Sequence, residues 1–290
     1  LPGLRQRVPG AQVTLDDGSD PARAAALART AEVAVVMVGD NETEGKDRPS
    51  LALDGNQDAL VAAVAEASPH TVVVVKSGGP VLMPWAARVP AILQAWYPGQ
   101  QDGAAVAGVL FGDVNPSAKL PITFPAADAD TPANTPAQFP GVGGVATYSE
   151  GLQVGYRWFD AQGRAPLFPF GHGLSYTTFA YSGLSVRGAG DGATATFTVR
   201  NTGRRPGTEV AQLYLGFPAA AGEPPRQLKG FERVSLAPGE ARRVTIRLDA
   251  RAFSAWDTVS HAWQPVRGGF TVSVGGSSRS LPLQVPLVRR

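Results

Sequence analysis

The chain of 290 residues contains no cysteine, so disulfides, thiolate nucleophiles and cysteine-based zinc sites are all excluded. Histidine is nearly as scarce. His70, His172 and His261 stand at no spacing that suits a metal. No apolar run approaches the roughly 20 residues of a membrane-spanning helix, and the longest, 33–38 and 72–75, have strand length. Charge of one sign is also missing: 26 basic against 24 acidic residues give a net +2, and the arginines are scattered. Without a clustered basic face, nucleic acid is not an expected partner. The glycine-rich loops contain neither Gly-Lys-Ser/Thr nor Gly-x-Gly-x-x-Gly, which removes the usual nucleotide-binding signatures. Residues 171–175 read Gly-His-Gly-Leu-Ser and do not form the Gly-x-Ser-x-Gly nucleophile elbow. The first residue is Leu1, with neither a charged nor an apolar leader after it, so the natural start of the gene product is expected upstream.

What is present describes a folded, loop-rich chain with 43% hydrophobic residues, 34 glycines and 25 prolines, long enough for two domains. Asp20-Pro21 predicts an N-capped helix over 21–31, because Asp accepts from free amides and Pro suits the first helical position. A strand over 33–38, a loop over 39–56 and a helix over 57–67 follow. Strands over 71–75 and 91–96, a loop with a short helix over 76–85 and a helix over 102–111 complete the pattern. Continuous apolar strands alternating with helices imply a mainly parallel sheet covered on both faces.

Beyond Gly112, six prolines between 116 and 140 break any period, and residues 126–178 read as an extended linker. From about residue 179, segments 193–200, 209–217, 227–236, 242–248 and 270–274 alternate apolar with polar residues between turn signals such as Asn201-Thr202-Gly203. About seven such strands imply a fibronectin- or immunoglobulin-like sandwich. The expected fold class is therefore α/β followed by all-β, with an α/β domain over 1–125 truncated at its start and the sandwich over 179–290.

Ligands of open α/β sheets gather at the carboxyl ends of the strands. The loop after the first strand, Gly39-Asp40-Asn41-Glu42-Thr43-Glu44-Gly45-Lys46-Asp47-Arg48-Pro49, is rich in charge, and the loops after the next two carry Gly78-Gly79-Pro80 and Trp96-Tyr97-Pro98-Gly99-Gln100. A carboxyl in such a loop is as a rule only solvated surface, and Glu42 and Glu44 compete for any chemical role. Trp85, Trp96 and Tyr97 suit either sugar stacking or core and interface packing. His172, among aromatics, suits packing.

Thr43-Glu44-Gly45-Lys46-Asp47-Arg48, with Ser50-Leu51-Ala52-Leu53 and Gln57, resembles the acid/base loop of family 3 glycoside hydrolases. Further segments resemble that family in the same order: Gly78-Gly79-Pro80-Val81, then Trp96 to Gln100, then Gly112-Asp113-Val114-Asn115-Pro116-Ser117-Ala118-Lys119-Leu120-Pro121. Tyr148-Ser149-Glu150-Gly151 and Phe168 to Phe179 are similar to its linker signature, and Gln227-Leu228-Lys229-Gly230-Phe231 to its fibronectin-like domain. Asp54 and Ala118 depart from the family's usual Pro and Gly.

The resemblance implies the C-terminal part of a retaining, exo-acting β-glucosidase. Glu44 is then the general acid/base, with a pKa raised toward the working pH, and Asp47 with Arg48 form an ion pair that shapes the loop or stands near substrate. The nucleophilic carboxylate belongs to an N-terminal barrel that has no counterpart in this chain, so the isolated chain is expected to be inactive. Expected partners are a β-glucoside or short oligosaccharide and that barrel, with a β-xyloside as the alternative substrate and a homodimer allowed. No cofactor, metal or membrane partner is implied, and the resemblance favours an extracellular or periplasmic location. The competing function is a non-catalytic scaffolding or carbohydrate-binding module.

Overall fold

In the computed structural model, which describes residues 1–290, the chain divides into two compact units. Unit 1 comprises Leu1–Val114 and Phe124–Ala129, and unit 2 comprises Asn115–Thr123 and Asp130–Arg290. No helix is long and apolar enough to cross a membrane.

Unit 1 is α/β. Helix α1 spans Pro2–Arg7, α2 Pro21–Ala28, α3 Gln57–Ala67 and α4 Asp102–Leu110, and the strands are β1 Ala34–Gly39, β2 Thr71–Lys76 and β3 Ala91–Gln94. The strands pair in the order β1-β2-β3, all parallel, with Ala34 opposite Thr71 and Val72 opposite Ala91. Central β2 is the driest, because it has a neighbour on each edge. Val73, Val74 and Val75 are fully buried, and so is Trp85, whose indole N–H donates to Asp58 Oδ1 at 2.7 Å. Trp85 is therefore core rather than a sugar platform.

The Asp20 carboxylate accepts from the amides of Ala22 and Arg23, as its sequence context predicts, a cap that contributes about 1 kcal/mol. Helix α2 nevertheless ends at Ala28, three residues short of the expectation. Helix α1 is an addition that the sequence pattern did not announce. In place of a helix within 76–85, the structure has a single 3-10 turn over Ala86–Arg88.

Unit 2 is built on a sandwich of β4 Phe179–Ala189, β5 Gly192–Asn201, β6 Gly207–Gly216, β7 Gln227–Leu236, β8 Ala241–Leu248, β11 Gly268–Gly275 and β12 Leu283–Arg289. One sheet is ordered β12-β11-β6-β7 and the other β4-β5-β8, with all pairs antiparallel. Alternation places Ala193, Ala195, Phe197 and Val199 of β5, with Val244, Ile246 and Leu248 of β8, in the core. A separate hairpin, β9 Ser254–Asp257 with β10 Ala262–Pro265, pairs Trp256 opposite Trp263.

The segment 126–178, expected as an extended linker, is instead divided between the units. Residues 126–129 join unit 1 and 130–178 join unit 2. It contains helix α5, Tyr156–Ala161, and its aromatic and charged residues pack on β6 and β7. Tyr156 lies edge-on to Tyr214 with ring centroids 5.7 Å apart, and its hydroxyl accepts from the amide of Leu228. Asp160, with its side chain 1% exposed, holds both Arg226 and Arg279. This cover explains why Leu213, Tyr214 and Leu215 are all fully buried, although alternation alone would expose every second residue. His172 stacks on Phe168, and burial, with Lys119 nearby, lowers its pKa, in keeping with the packing role.

Candidate functional site

The carboxyl ends of β1, β2 and β3 bring the three singled-out loops together. Gln57, the first residue of α3, fixes the end of β1: its side-chain amide accepts from Gly39 N–H at 2.8 Å and donates to Gly39 C=O at 2.9 Å. This pair of bonds satisfies the last backbone groups of the strand and determines where the loop begins.

Asp40 follows directly, and its side chain is 1% exposed. Its carboxylate accepts from Arg48 Nη1 at 3.0 Å and from the Tyr97 hydroxyl at 2.6 Å. Arg48 also donates through Nη2 to Pro80 C=O at 3.0 Å and lies with Nε 3.4 Å from Glu42 Oε1. The expected Asp47–Arg48 pair is thus corrected. The partners of Arg48 are Asp40 and Glu42, because its long side chain turns inward to a buried carboxylate while Asp47 stays exposed.

Glu42 is drawn over Gly78. A methyl group on that glycine would stand 2.3 Å from Glu42 Oε2 and 2.9 Å from Tyr97 Cε2, so a side chain there would displace the Glu42 carboxylate and the Tyr97 ring. Desolvation, followed by the hydrogen bond and charge of Asp40, raises the Glu42 pKa, while Arg48 opposes the rise. Asp40 likewise raises the Tyr97 pKa, first through its hydrogen bond and then with burial.

A carboxyl whose pKa is raised in the fold is bound more tightly by its proton there than in the unfolded chain. Its favourable contribution is complete below the unfolded pKa and fades as pH rises through the folded one. Glu42→Gln is therefore expected to gain melting temperature relative to the parent between pH 4 and pH 7. A difference that is flat or falls over that range would contradict the raised Glu42 pKa.

Glu44 stands apart from this cluster. It lies at the tip of a tight turn closed by an antiparallel bridge between Thr43 and Lys46, with Gly45 at φ +79°. It is exposed, and no hydrogen bond or ion pair within the chain engages its carboxylate. The structure thus brings Asp40, Glu42, Arg48, Gly78 and Tyr97 together beneath the loop and leaves Glu44 and Asp47 in solvent. Asp40 and Tyr97 are the members that sequence reasoning missed as a pair. They are 57 positions apart, and only their places at the ends of β1 and β3 link them.

Beside the cluster, Lys76 at the end of β2 pairs with Asp102 at the start of α4. Trp96 adopts a left-handed backbone at φ +54° and packs edge-on against Phe124, with ring centroids 6.2 Å apart. That conformation costs a β-region side chain on the order of 1 kcal/mol and sets the direction of Tyr97.

A parallel α/β unit with carboxylates gathered at its strand ends is followed along the chain by a fibronectin-like sandwich. Comparison with known proteins is specific. Residues 1–176 match the glycosyl hydrolase family 3 C-terminal domain and residues 209–278 the fibronectin type III-like domain. The chain belongs to glycoside hydrolase family 3.

It is 45% identical over 277 residues to a probable beta-glucosidase J of Aspergillus fumigatus, covering 91% of this chain and 32% of that protein. It is 43% identical to thermostable beta-glucosidase B of Acetivibrio thermocellus, covering 89% of this chain and 35% of that one. Among solved structures, DesR, a beta-glucosidase from Streptomyces venezuelae in complex with D-glucose, superposes with a TM-score of 0.89 at 45% identity over 93% of this chain and 35% of its own. Beta-D-glucoside glucohydrolase from Trichoderma reesei gives 0.92 at 36% identity, over 99% and 44%. The chain spans about a third of the length of the curated relatives it matches.

Proposed function

We propose that the chain supplies the general acid/base, Glu44, to a retaining β-glucosidase whose nucleophile lies on an N-terminal barrel domain outside this sequence. The observation that carries the reading is the placement of an unpartnered carboxyl, Glu44, at a loop tip above strand carboxyl ends where Asp40 and Glu42 are already engaged by Arg48. A proton donor must reach a leaving oxygen. Glu42 and Asp40 are engaged with Arg48, whereas Glu44 is free to meet substrate.

In the first step, Glu44 delivers its proton to the glycosidic oxygen as the C–O bond breaks and the barrel's carboxylate takes the anomeric carbon. In the second, ionised Glu44 removes a proton from the water that releases the sugar. Such pairs stand about 5 to 5.5 Å apart, so the barrel must bring its carboxylate that close to the loop tip. The beta-glucosidase names of the relatives support a terminal β-glucoside as substrate. A β-xyloside remains the second choice, since the sugar-selecting surface belongs to the barrel.

Supplying the barrel as a separate polypeptide is expected to restore hydrolysis of an aryl β-glucoside that the chain alone leaves intact, with the β-anomer of glucose formed first. Unaided turnover by the chain, or the α-anomer as first product from the complemented pair, would overturn the proposal.

A further inference from the structure

Glu44 has no hydrogen bond or ion pair of its own to hold it, so its position is inherited from the loop that carries it. Both ends of that loop meet on one buried group. Asp40 opens the loop, Arg48 closes it eight residues later, and the two are joined by a 3.0 Å ion pair. The Thr43–Lys46 turn with Glu44 at its tip lies between them. The same carboxylate receives the Tyr97 hydroxyl from the end of β3, the same guanidinium grips Pro80 C=O in the loop after β2, and the Asp40 amide bonds to Lys76 C=O at the end of β2. Asp40 and Arg48 together thus tie the ends of all three strands.

We propose that Asp40 is a positioning residue for acid catalysis, latching the Glu44 loop to the sheet through Arg48 and Tyr97. This deepens the function proposed above and rests on it. A buried ion pair adds little net stability, because desolvation of both charges roughly cancels their attraction. What it provides is fixed geometry. That geometry matters to a proton donor, since misplacing a catalytic group by about 1 Å can cost on the order of 10²-fold in rate. Tyr97 has a further reason for its place, because its hydroxyl reaches the buried Asp40 while the residue remains 55% exposed. The other charged groups around Asp40 are Glu42, which shares Arg48, and Lys76, which is committed to Asp102.

The test uses the full-length enzyme and two β-glucosides, one with an alkyl leaving group and one with 2,4-dinitrophenolate. Protonation of the leaving oxygen is essential for the first and dispensable for the second, and kcat/KM reports the step that breaks the glycosidic bond. Asp40→Asn is expected to lower kcat/KM about 10- to 100-fold for the alkyl glucoside and less than about threefold for the dinitrophenyl glucoside. Tyr97→Phe, milder because the ring stays, is expected to lose in the same direction by a smaller factor and so serves if Asp40→Asn folds poorly. Equal losses on both substrates would make the latch merely structural, and no loss on either would remove it; both results overturn the proposal. Glu44→Ala measured alongside separates the two readings. If Glu44→Ala lacks the leaving-group dependence, the acid assignment itself fails. If Glu44→Ala shows the dependence and Asp40→Asn does not, only the latch fails.

Discussion

Glu44→Ala in the full-length enzyme is expected to lower kcat/KM for an alkyl β-glucoside by about 10² to 10⁴-fold, the range general acid catalysis contributes. Azide should then restore turnover of a dinitrophenyl glucoside. That substrate expels its leaving group unaided, and the sugar bound to the barrel's carboxylate accumulates because no base activates water. Azide needs no base and fits the space that the shortened side chain vacates, so it attacks from the same face and yields the β-glucosyl azide. Glu42→Ala is the necessary comparison, because Glu42 lies two positions away and is the carboxyl with the raised pKa. That rise reflects desolvation and then Asp40, and the carboxyl is already engaged with Arg48. Azide rescue of Glu42→Ala in place of Glu44→Ala would move the acid role to Glu42, and full activity in Glu44→Ala would eliminate it from the reaction.

The second large effect is on stability. Trp85→Ala is expected to destabilise unit 1 by about 3 to 5 kcal/mol, measured by denaturant unfolding of this chain. Trp85 is 0% exposed, so truncation opens a cavity that its surroundings close only in part, and it leaves the Asp58 carboxyl without its indole donor. Trp85→Phe retains most of the volume but loses the hydrogen bond, for which about 1 to 3 kcal/mol is expected. A loss below about 1 kcal/mol in the alanine variant would contradict the core placement.

Legibility from sequence differed between elements for identifiable reasons. Helix α3 matches its expected ends, 57 and 67, because Leu60, Val61 and Val64 recur at helical spacing. Strand β7 matches its expected ends as well, bounded by turn residues. Strand β3 is shorter than expected, because Trp96 turns left-handed and ends the pairing at Gln94. Helix α5 lay hidden among prolines and glycines, since its six residues owe their helical state to packing rather than to period. The arrangement of residues 130–178 over the sandwich depended on Tyr156 and Asp160 finding partners more than 50 positions away.

At the site, sequence reading reached the three loops, and for Glu44 it reached a candidate. Strand-end loops collect ligands in any open parallel sheet, and the ordered segments resemble one family. It assigned Arg48 to its neighbour Asp47, because proximity along the chain is the only distance a sequence displays. By itself, then, the sequence determined the two-part architecture, the parallel sheet and the family, since these follow from local periodicity and from the order of short segments. The tertiary structure decided which charges meet. Asp40, Arg48 and Tyr97 converge only once β1, β2 and β3 lie side by side, and whether an ion pair forms depends on distance and burial, neither of which is written in residue order.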